Sequence, residues 1–394
     1  MSTTNPIDTV LVGIGGYGGV HGNILLDNSV PNLHFAAIVD PYAKKAHLYD
    51  RFKDTVPVYN RLEDFFAAGG SAELTIISTP IHLHCGQSIT ALEGGSHVLC
   101  EKPLVPTLQE LDRLDEKIIG TGKTLSVGFQ GCYTSVIQTL KARILNGEFG
   151  KPLCFKTLIC WPRGWDYYSR SNWAGRIKSD DGHIVNDSVT SNATAHHTQN
   201  MLFLLGDTME TSAELSNTCV ETYRANDIES FDTCIYRGEA GGAKVFYAAS
   251  HAVNYLINPV VHYELENAVI MMNNFNPDGA CTIHHRDGRI EELTPTEGNQ
   301  NINLIKCVAD AIRNEGPFIC TARTVRPITM LIDGIFNQAT MYDFPADVVV
   351  KDSVHGRTYA KFLHLQLVDC FNSGKLPSEM GLAWAKDPVL LTMR

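Results

Sequence analysis

The feature that most constrains the fold is a glycine-rich turn directly after a short apolar run. Thr9 to Val12 is typical of a buried strand, and Gly13 to Gly18 matches the pattern G-x-G-x-x-G. In this pattern the first glycine allows a tight turn, the second lets a pyrophosphate approach the backbone, and the third lets a helix pack closely. The turn therefore predicts a strand-turn-helix unit that binds a dinucleotide, through Gly13, Gly15, Gly16, Tyr17 and Gly18.

Apolar runs alternate with helix-compatible stretches through the following hundred or so residues. We predict strands at Phe35–Val39, Leu74–Ile77, His97–Cys100 and Leu125–Phe129, with helices between them. Such alternation is typical of a doubly wound parallel sheet, the Rossmann arrangement. The predicted fold class of this first half is therefore α/β.

Polar residues follow several of these strands at the point where each strand ends. Asp40 follows the second strand, Thr79-Pro80 follows the next, and Glu101-Lys102-Pro103 follows Cys100. Ligands of doubly wound sheets bind at the carboxyl ends of the strands, so this shared location favours a cofactor site over a surface lysine at Lys102.

Asp40 bears on the choice of cofactor. A carboxylate there would hydrogen-bond the ribose hydroxyls and favour NAD over NADP, although Lys44 and Lys45 lie close enough to meet a 2′-phosphate. The alternative interpretation is a turn aspartate before Pro41.

Length and charge narrow the class of protein. The 394 residues favour two domains, which we place at 1–128 and 129–352, with an extension over 353–394 that packs on the domains or on a neighbouring subunit.

The net charge of −11 argues against a nucleic-acid partner, and there is no polybasic tail or long apolar stretch for a membrane. Met1 to Pro6 has no signal-type core, so we expect a cytoplasmic protein.

A polar, aromatic loop over 161–176 follows the predicted strand Leu153–Cys160. Aromatic faces and planar donors suit a sugar ring, although a loop that packs domains together would have the same composition. The candidate substrate-binding residues are Arg163, Trp165, Tyr167, Tyr168, Trp173 and, further along, Asp187.

The segment before Met201 is too polar for a core helix. On one continuous helix Asn192, His196 and Asn200 would share a face, and His196 could polarise or relay a proton. Beyond it we predict a strand over Ala213–Ser216 and further strands to Met272. The histidine pairs of the chain lack the carboxylate or cysteine spacing of a zinc site, so we predict no metal.

The Gly-rich turn, Asp40, Ser78-Thr79-Pro80 with His84, and Glu101-Lys102-Pro103 followed by Gly128-Phe129-Gln130 together resemble one known family. It is the glucose-fructose oxidoreductase / inositol dehydrogenase / MocA family of NAD(P)-dependent sugar and cyclitol oxidoreductases. The resemblance implies cofactor contacts at Thr79, Pro80, His84, Glu101, Lys102 and Gln130. It also implies a second α/β domain whose large open sheet is mostly antiparallel, and a homodimer or homotetramer formed through that sheet.

The resemblance further implies catalytic roles for Lys102 and for His196. The position of the family's catalytic aspartate falls on Asn192, and Ile81 stands where an asparagine is usual. Both are departures, and the first removes a carboxylate from proton transfer.

The leading hypothesis is an NAD-dependent oxidoreductase acting on a ring hydroxyl of a sugar, glycoside or cyclitol. Lys102 would exchange the hydroxyl proton, His196 would hydrogen-bond the same oxygen, and Asn192 would orient the substrate. One alternative is a redox-neutral glycosidase or lyase that works through a transient 3-keto sugar, with Tyr167-Tyr168 as acid/base groups. Another is a non-catalytic NAD-binding regulator.

Overall fold

The structure is a computed structural model that describes residues 5–273 and 280–393. Residues 1–4, where no signal-type core is expected, lie outside the described part. The chain divides into two compact units. Unit 1 comprises Met1–Thr134 and Glu297–Arg326, and unit 2 comprises Ser135–Thr296 and Pro327–Arg394.

Unit 1 contains a parallel sheet in the strand order β3-β2-β1-β4-β5-β6, with elements numbered along the chain. The order reverses between β1 and β4, which is the switch point where doubly wound sheets bind ligands. The strands are β1 Ile7–Val12, β2 Leu33–Val39, β3 Val58–Tyr59, β4 Leu74–Ile77, β5 His97–Cys100 and β6 Leu125–Val127. The helices are α1 Gly18–Leu26, α2 Tyr49–Phe52, α3 Leu62–Ala67, α4 Ile81–Glu93, α5 Leu108–Thr121 and α9 Gln300–Ile312.

The segment 297–326 joins unit 1 through specific hydrogen bonds. The backbone N–H of Val127 donates to the carbonyl of Cys320 at 2.7 Å, which extends the edge of the sheet beyond β6. Asn303 in α9 donates through Nδ2 to the carbonyl of Tyr133 at 2.7 Å. Our sequence-based boundary at residue 128 did not assign the segment 297–326 to the first domain. Its place there depends on pairing between residues that are far apart in sequence.

Unit 2 contains a mixed, mostly antiparallel sheet in the order β14-β13-β12-β11-β7-β10-β9-β8-β15, with β18 also paired to β8. β7 Pro152–Cys160 runs parallel to β10, and β15 runs parallel to β8. The other strands are β8 Ser216–Arg224, β9 Thr233–Ala240, β10 Ala243–Ser250, β11 Ile257–Leu265, β12 Ala268–Asn273, β13 Cys281–His285, β14 Ile290–Leu293, β15 Met341–Asp343 and β18 Val389–Leu390. A separate hairpin consists of β16 Val349–Asp352 and β17 Arg357–Ala360.

The helices of unit 2 are α6 Ser135–Leu145, α7 Trp165–Ser169, α8 Ala195–Leu204 and α11 Leu363–Ser373, and α10 Ala322–Gln338 includes the division between the units. The core of unit 2 combines sheet residues such as Tyr223 and Phe246 with Leu367 and Trp384 from the C-terminal segment. The segment after residue 353 is therefore part of the core of unit 2.

The expected strand over Ala213–Ser216 is wrong, because β8 begins only at Ser216. The backbone N–H of Ala213 donates to the carbonyl of Leu202 at 2.9 Å, which ties this segment to the end of α8. No helix within residues 5–273 and 280–393 is long and apolar enough to cross a bilayer.

Candidate functional sites in the two units

The glycine-rich turn lies between β1 and α1, and each glycine meets a different constraint. Gly13 has φ +84°, and a Cβ there would lie 2.6 Å from the carbonyl oxygen of Ser78. A Cβ on Gly18 would lie 2.0 Å from the carbonyl oxygen of Gly13. Gly15 is exposed and has no atom within 4 Å of its Cβ position, so the space above this backbone is open. This combination of a closed base and an open top fits a pyrophosphate at the N-terminus of α1.

Asp40 lies at the end of β2 and is bound to the same turn. Its Oδ2 accepts from the backbone N–H of Ile14 at 3.0 Å, and its Oδ1 accepts from that of Tyr42 at 2.7 Å. A carboxylate keeps lone pairs beyond these two bonds, so ribose hydroxyls can still donate to it. The placement fits NAD, because the negative charge would repel a 2′-phosphate.

Glu101 is buried directly after β5, and its partner His21 was not predicted as a site residue. The Oε1 of Glu101 lies 2.8 Å from Nε2 of His21, whose side chain is fully buried. The Oε2 of Glu101 accepts from the backbone N–H of Lys102 at 3.3 Å. A Cβ on Gly128 would lie 2.9 Å from Oε1 of Glu101, so the backbone directly after β6 packs against the carboxylate. The sequence feature that could have identified His21 is its position in the predicted first helix, three residues after Gly18.

His84 connects two loops rather than facing solvent. Its Nε2 lies 2.8 Å from the carbonyl oxygen of Thr79, and its Nδ1 lies 3.0 Å from that of Pro103. Burial lowers the pKa of His84, although the carbonyl contacts oppose this. The imidazole therefore holds the loop after β4 against the loop that carries Lys102, which is half-buried and precedes a cis peptide bond to Pro103.

Tyr17 forms a small network at the rim of the turn. Its hydroxyl donates to Oδ1 of Asn301 at 2.8 Å and accepts from Nε2 of Gln130 at 3.0 Å. Burial, and then the charge of Glu101, raise the pKa of Tyr17 to about 12. Asn301 was not predicted, because it comes from the returning segment after residue 297.

In unit 2 the predicted aromatic loop forms a stack of rings and guanidinium groups. The Cζ of Arg170 lies 3.7 Å from the centre of the Tyr167 ring and 5.1 Å from that of Trp173. The Cζ of Arg163, which lies two residues before α7, is 4.9 Å from the centre of the Tyr167 ring. Trp165 is 44% exposed, and its Nε1 donates to Oγ1 of Thr358 in β17 at 3.0 Å. The loop is thus held by cation–π contacts and by the C-terminal hairpin.

The structure brings Asn192 close to Asp187, but Asn192 does not lie on the continuous helix that we predicted. The segment Val189–Ala193 forms a π-helical turn, and Thr194, with φ −111°, separates it from α8. The predicted single helical face through Asn192 and His196 is therefore wrong. The cause is a capping box, in which Ser188 and Ser191 exchange hydrogen bonds and fix the turn.

The Asn192 side chain faces a buried carboxylate. Its Nδ2 donates to Oδ1 of Asp187 at 2.8 Å, while Oδ2 of Asp187 accepts from the backbone N–H of Gly175 at 2.6 Å. Asp187 thereby joins the polar turn to the end of the aromatic loop. His196 lies half-buried in the first turn of α8. π-Helical turns are frequent at functional sites.

His251 follows β10 directly and was not predicted as a site residue. It is 2% exposed, its Nδ1 lies 2.8 Å from the carbonyl oxygen of Trp161, and its ring packs edge-on to Tyr167 at 5.4 Å. Burial lowers the pKa of His251 to about 3. Burial likewise raises the pKa of Tyr168 well above its usual range, so its phenol stays protonated.

Candidate metal ligands were sought among the same side chains. Within the described parts of both units, no three His, Cys, Asp or Glu side chains lie together as the ligands of one metal ion.

Residues 7–129 match the family described as "Oxidoreductase family, NAD-binding Rossmann fold". The chain is 32% identical over 150 residues to a scyllo-inositol 2-dehydrogenase (NAD(+)) of Bacillus subtilis, which covers 37% of this chain and 42% of that protein. It is 28% identical over 162 residues to an inositol 2-dehydrogenase of Corynebacterium glutamicum, which covers 41% of this chain and 48% of the relative. The chain thus matches less than half the length of each.

Solved structures show the same fold at low sequence identity. The WlbA dehydrogenase from Bordetella pertussis, in complex with NADH and UDP-GlcNAcA, has a TM-score of 0.68 at 20% identity and covers 84% of this chain and 96% of its own. An oxidoreductase domain protein from Kribbella flavida has a TM-score of 0.72 at 13% identity and covers 85% of this chain and 97% of its own.

Proposed function

We propose that this chain is an NAD-dependent dehydrogenase of a ring hydroxyl, because residues 7–129 match the GFO/IDH/MocA oxidoreductase family with its NAD-binding Rossmann fold. The substrate we propose is a sugar, a glycoside or a cyclitol. The observation that carries the proposal is the position of Lys102. It follows β5 at the sheet edge where the glycine-rich turn and Asp40 also lie, and its backbone is bound by the buried Glu101.

The residues of unit 1 fit a bound dinucleotide. Open space above Gly15 leaves room for the pyrophosphate, and Asp40 keeps free lone pairs for the ribose. When bound, NAD supplies the acceptor or donor of the hydride. Thr79, Pro80 and Gln130 lie after strands of the same sheet, and we propose that they line this site.

Lys102 has the chemistry of a proton carrier. An ammonium has three donors and, once deprotonated, one lone pair, so it can take the proton that a hydroxyl loses on oxidation. The hydrogen bond from its backbone to Glu101, and the hold of His84 on the next residue, Pro103, limit the movement of this loop. We propose that His84 and Glu101 position Lys102.

In unit 2 we propose that the substrate contacts the aromatic loop and the polar turn. The rings of Tyr167 and Trp173 offer apolar faces, and Asp187 with Asn192 offers acceptors and donors. His196 is the candidate polarising group for the reacting oxygen. Since Asn192 replaces a carboxylate, its contribution would be orientation of the substrate rather than proton transfer.

We also propose that the protein forms a homodimer or homotetramer in the cytoplasm. Support for self-association comes from large apolar side chains exposed on strands of unit 2, among them Leu153, Met271 and Ile290. Light scattering after size exclusion would give the number of subunits.

The experiment that tests the function follows NADH absorbance and sugar products together. The purified protein is incubated with NAD and a panel of cyclitols, sugars and glycosides. NADH that rises with a keto product supports the proposal. Free sugar released without net NADH would replace it with a redox-neutral glycosidase, and NAD binding without either product would favour a regulator.

A further inference from the structure

We propose that His251 is the hydrogen-bond acceptor of a binding site in unit 2 that selects a neutral, hydroxyl-bearing ring ligand. The neighbouring donors are the Tyr168 hydroxyl and Nε of Arg163. The inference rests on the proposed function only for the class of ligand. The identity of the acceptor and of the donors follows from unit 2 alone.

The tautomer of His251 is determined by its backbone contact. Its Nδ1 lies 2.8 Å from the carbonyl oxygen of Trp161, and a carbonyl can only accept. The proton therefore sits on Nδ1, and Nε2 of the neutral ring carries a lone pair. The backbone N–H of His251 also donates to the carbonyl of Asp232 at 2.8 Å, so both ring and backbone are held.

Nε2 of His251 is buried and has no hydrogen-bond partner within the described residues. Nε of Arg163 and the hydroxyl of Tyr168 are also buried and unpartnered there. All three side chains surround Tyr167, whose ring centre lies 4.9 Å from Cζ of Arg163 and 5.4 Å and 5.2 Å from the His251 and Tyr168 rings. Buried polar groups of folded proteins almost always have a hydrogen-bond partner, so three without one around a single ring indicate a place where a ligand completes the hydrogen bonds.

The chemistry of the three atoms favours a neutral, hydroxyl-bearing ligand. The guanidinium groups of Arg163 and Arg170, which stack on Tyr167, repel a cation, and a deprotonated anion has no proton to donate to the lone pair at Nε2. A hydroxyl group both donates and accepts, so one hydroxyl can donate to Nε2 while a second accepts from Tyr168 or Arg163. The aromatic rings beside them suit the C–H face of a ring polyol.

A ligand would reach these atoms at the short helix α7, which carries Tyr167 and Tyr168. None of its residues, Trp165–Ser169, is fully buried, so the helix lies at the surface of unit 2. Its links to the remainder of the unit include the bond from Trp165 to Thr358 and the edge-on packing of Tyr167 on His251. Because the Tyr167 ring packs against His251, a shift of α7 would uncover this histidine.

The test compares two replacements of His251 in the full chain. His251→Asn keeps an amide where Nδ1 stands and removes the acceptor at Nε2, while His251→Gln places an amide at the Nε2 position. Binding of scyllo-inositol, myo-inositol and D-glucose is measured by calorimetry in the presence of NADH. We expect at least one of them to bind the wild type, about fivefold weaker binding in His251→Asn, and a smaller loss in His251→Gln, because the contribution of one hydrogen bond, about 1 kcal/mol, corresponds to about fivefold in affinity.

A second variant separates binding from folding. Tyr168→Phe removes an unpartnered hydroxyl, so it should keep or raise the melting temperature of the ligand-free protein while it weakens polyol binding. A hydroxyl with a purely structural role would lower the melting temperature instead.

Two results would overturn the inference. One is equal polyol affinity, or an equal KM, in the wild type and His251→Asn. The other is no binding of any of the three polyols by a wild-type protein that binds NADH. The proposed function fails separately, when a polyol binds through His251 and no substrate of the turnover panel yields NADH.

Discussion

His21 Nε2 lies 2.8 Å from Oε1 of Glu101, and the two side chains are 0% and 9% exposed. The pair joins the first helix, which begins at the glycine-rich turn, to the strand end that carries Lys102. Since the second oxygen of Glu101 accepts from the backbone of Lys102, hydrogen bonds connect α1 with the residue proposed as the catalytic lysine. The cofactor turn and Lys102 are thus coupled through one buried carboxylate.

Removal of one member of this pair should destabilise unit 1 strongly. His21→Leu leaves Glu101 buried without its partner, which typically costs about 3–5 kcal/mol. The double variant His21→Leu/Glu101→Met removes the charge as well and should recover a large part of that loss. Urea unfolding followed by circular dichroism measures both. A double variant as unstable as the sum of the two single variants would show that the pair contributes no coupling.

Two glycines of the turn should respond to alanine in opposite ways. Gly13→Ala forces a Cβ to within 2.6 Å of the Ser78 carbonyl oxygen at a positive φ, so the melting temperature should fall. Gly15→Ala meets no atom within 4 Å, so the fold should persist while the added methyl group blocks the pyrophosphate. Differential scanning fluorimetry and NADH fluorescence titration separate the two effects. Full NADH affinity in Gly15→Ala would place the pyrophosphate elsewhere.

Most of unit 1 was predictable, because its signals are local. β4 and β5 have their predicted bounds, since buried apolar runs of four residues end at polar or proline-containing turns. The doubly wound order follows from alternation of strands and helices. His21 was missed because its role depends on a carboxylate eighty residues away, and one histidine in a helix has no periodic signal.

Unit 2 was less predictable, because its site depends on turns and long-range pairing. Apolar and polar spacing indicated one helix through Asn192 and His196, but the Ser188–Ser191 capping box produces a π-helical turn instead. His251 follows a strand whose neighbours in the sheet are β7 and β9, so its contact with Trp161 could not be read from nearby residues.

The pH dependence of stability should carry a contribution from His251. Its pKa is about 3 in the folded protein, against 6.5 for the free side chain, so the unfolded chain binds a proton that the folded chain does not. This contribution is complete above pH 6.5 and is lost as the pH falls towards 3, at about 1.4 kcal/mol per pH unit. His251→Asn should therefore show a shallower fall in unfolding free energy between pH 6.5 and 4.

His183→Asn is the matched control, since that side chain is 62% exposed. Urea midpoints at several pH values give the slopes. An identical slope in the wild type and His251→Asn would contradict a buried, neutral imidazole.

Lys102→Met should lower kcat by roughly 10²–10⁴ while NADH binding stays close to that of the wild type, because a thioether cannot exchange a proton with the substrate hydroxyl. Lys53→Met is the control, since Lys53 is exposed and its ammonium forms an ion pair with Asp50, three residues earlier. The variant Lys102→Arg distinguishes a role of Lys102 in proton transfer from a role as a fixed positive charge. A guanidinium keeps the positive charge but does not deprotonate in proteins, so it restores turnover only if Lys102 acts as a fixed charge. Turnover that stays low in Lys102→Arg, with NADH affinity intact, is the result that proton transfer by Lys102 requires.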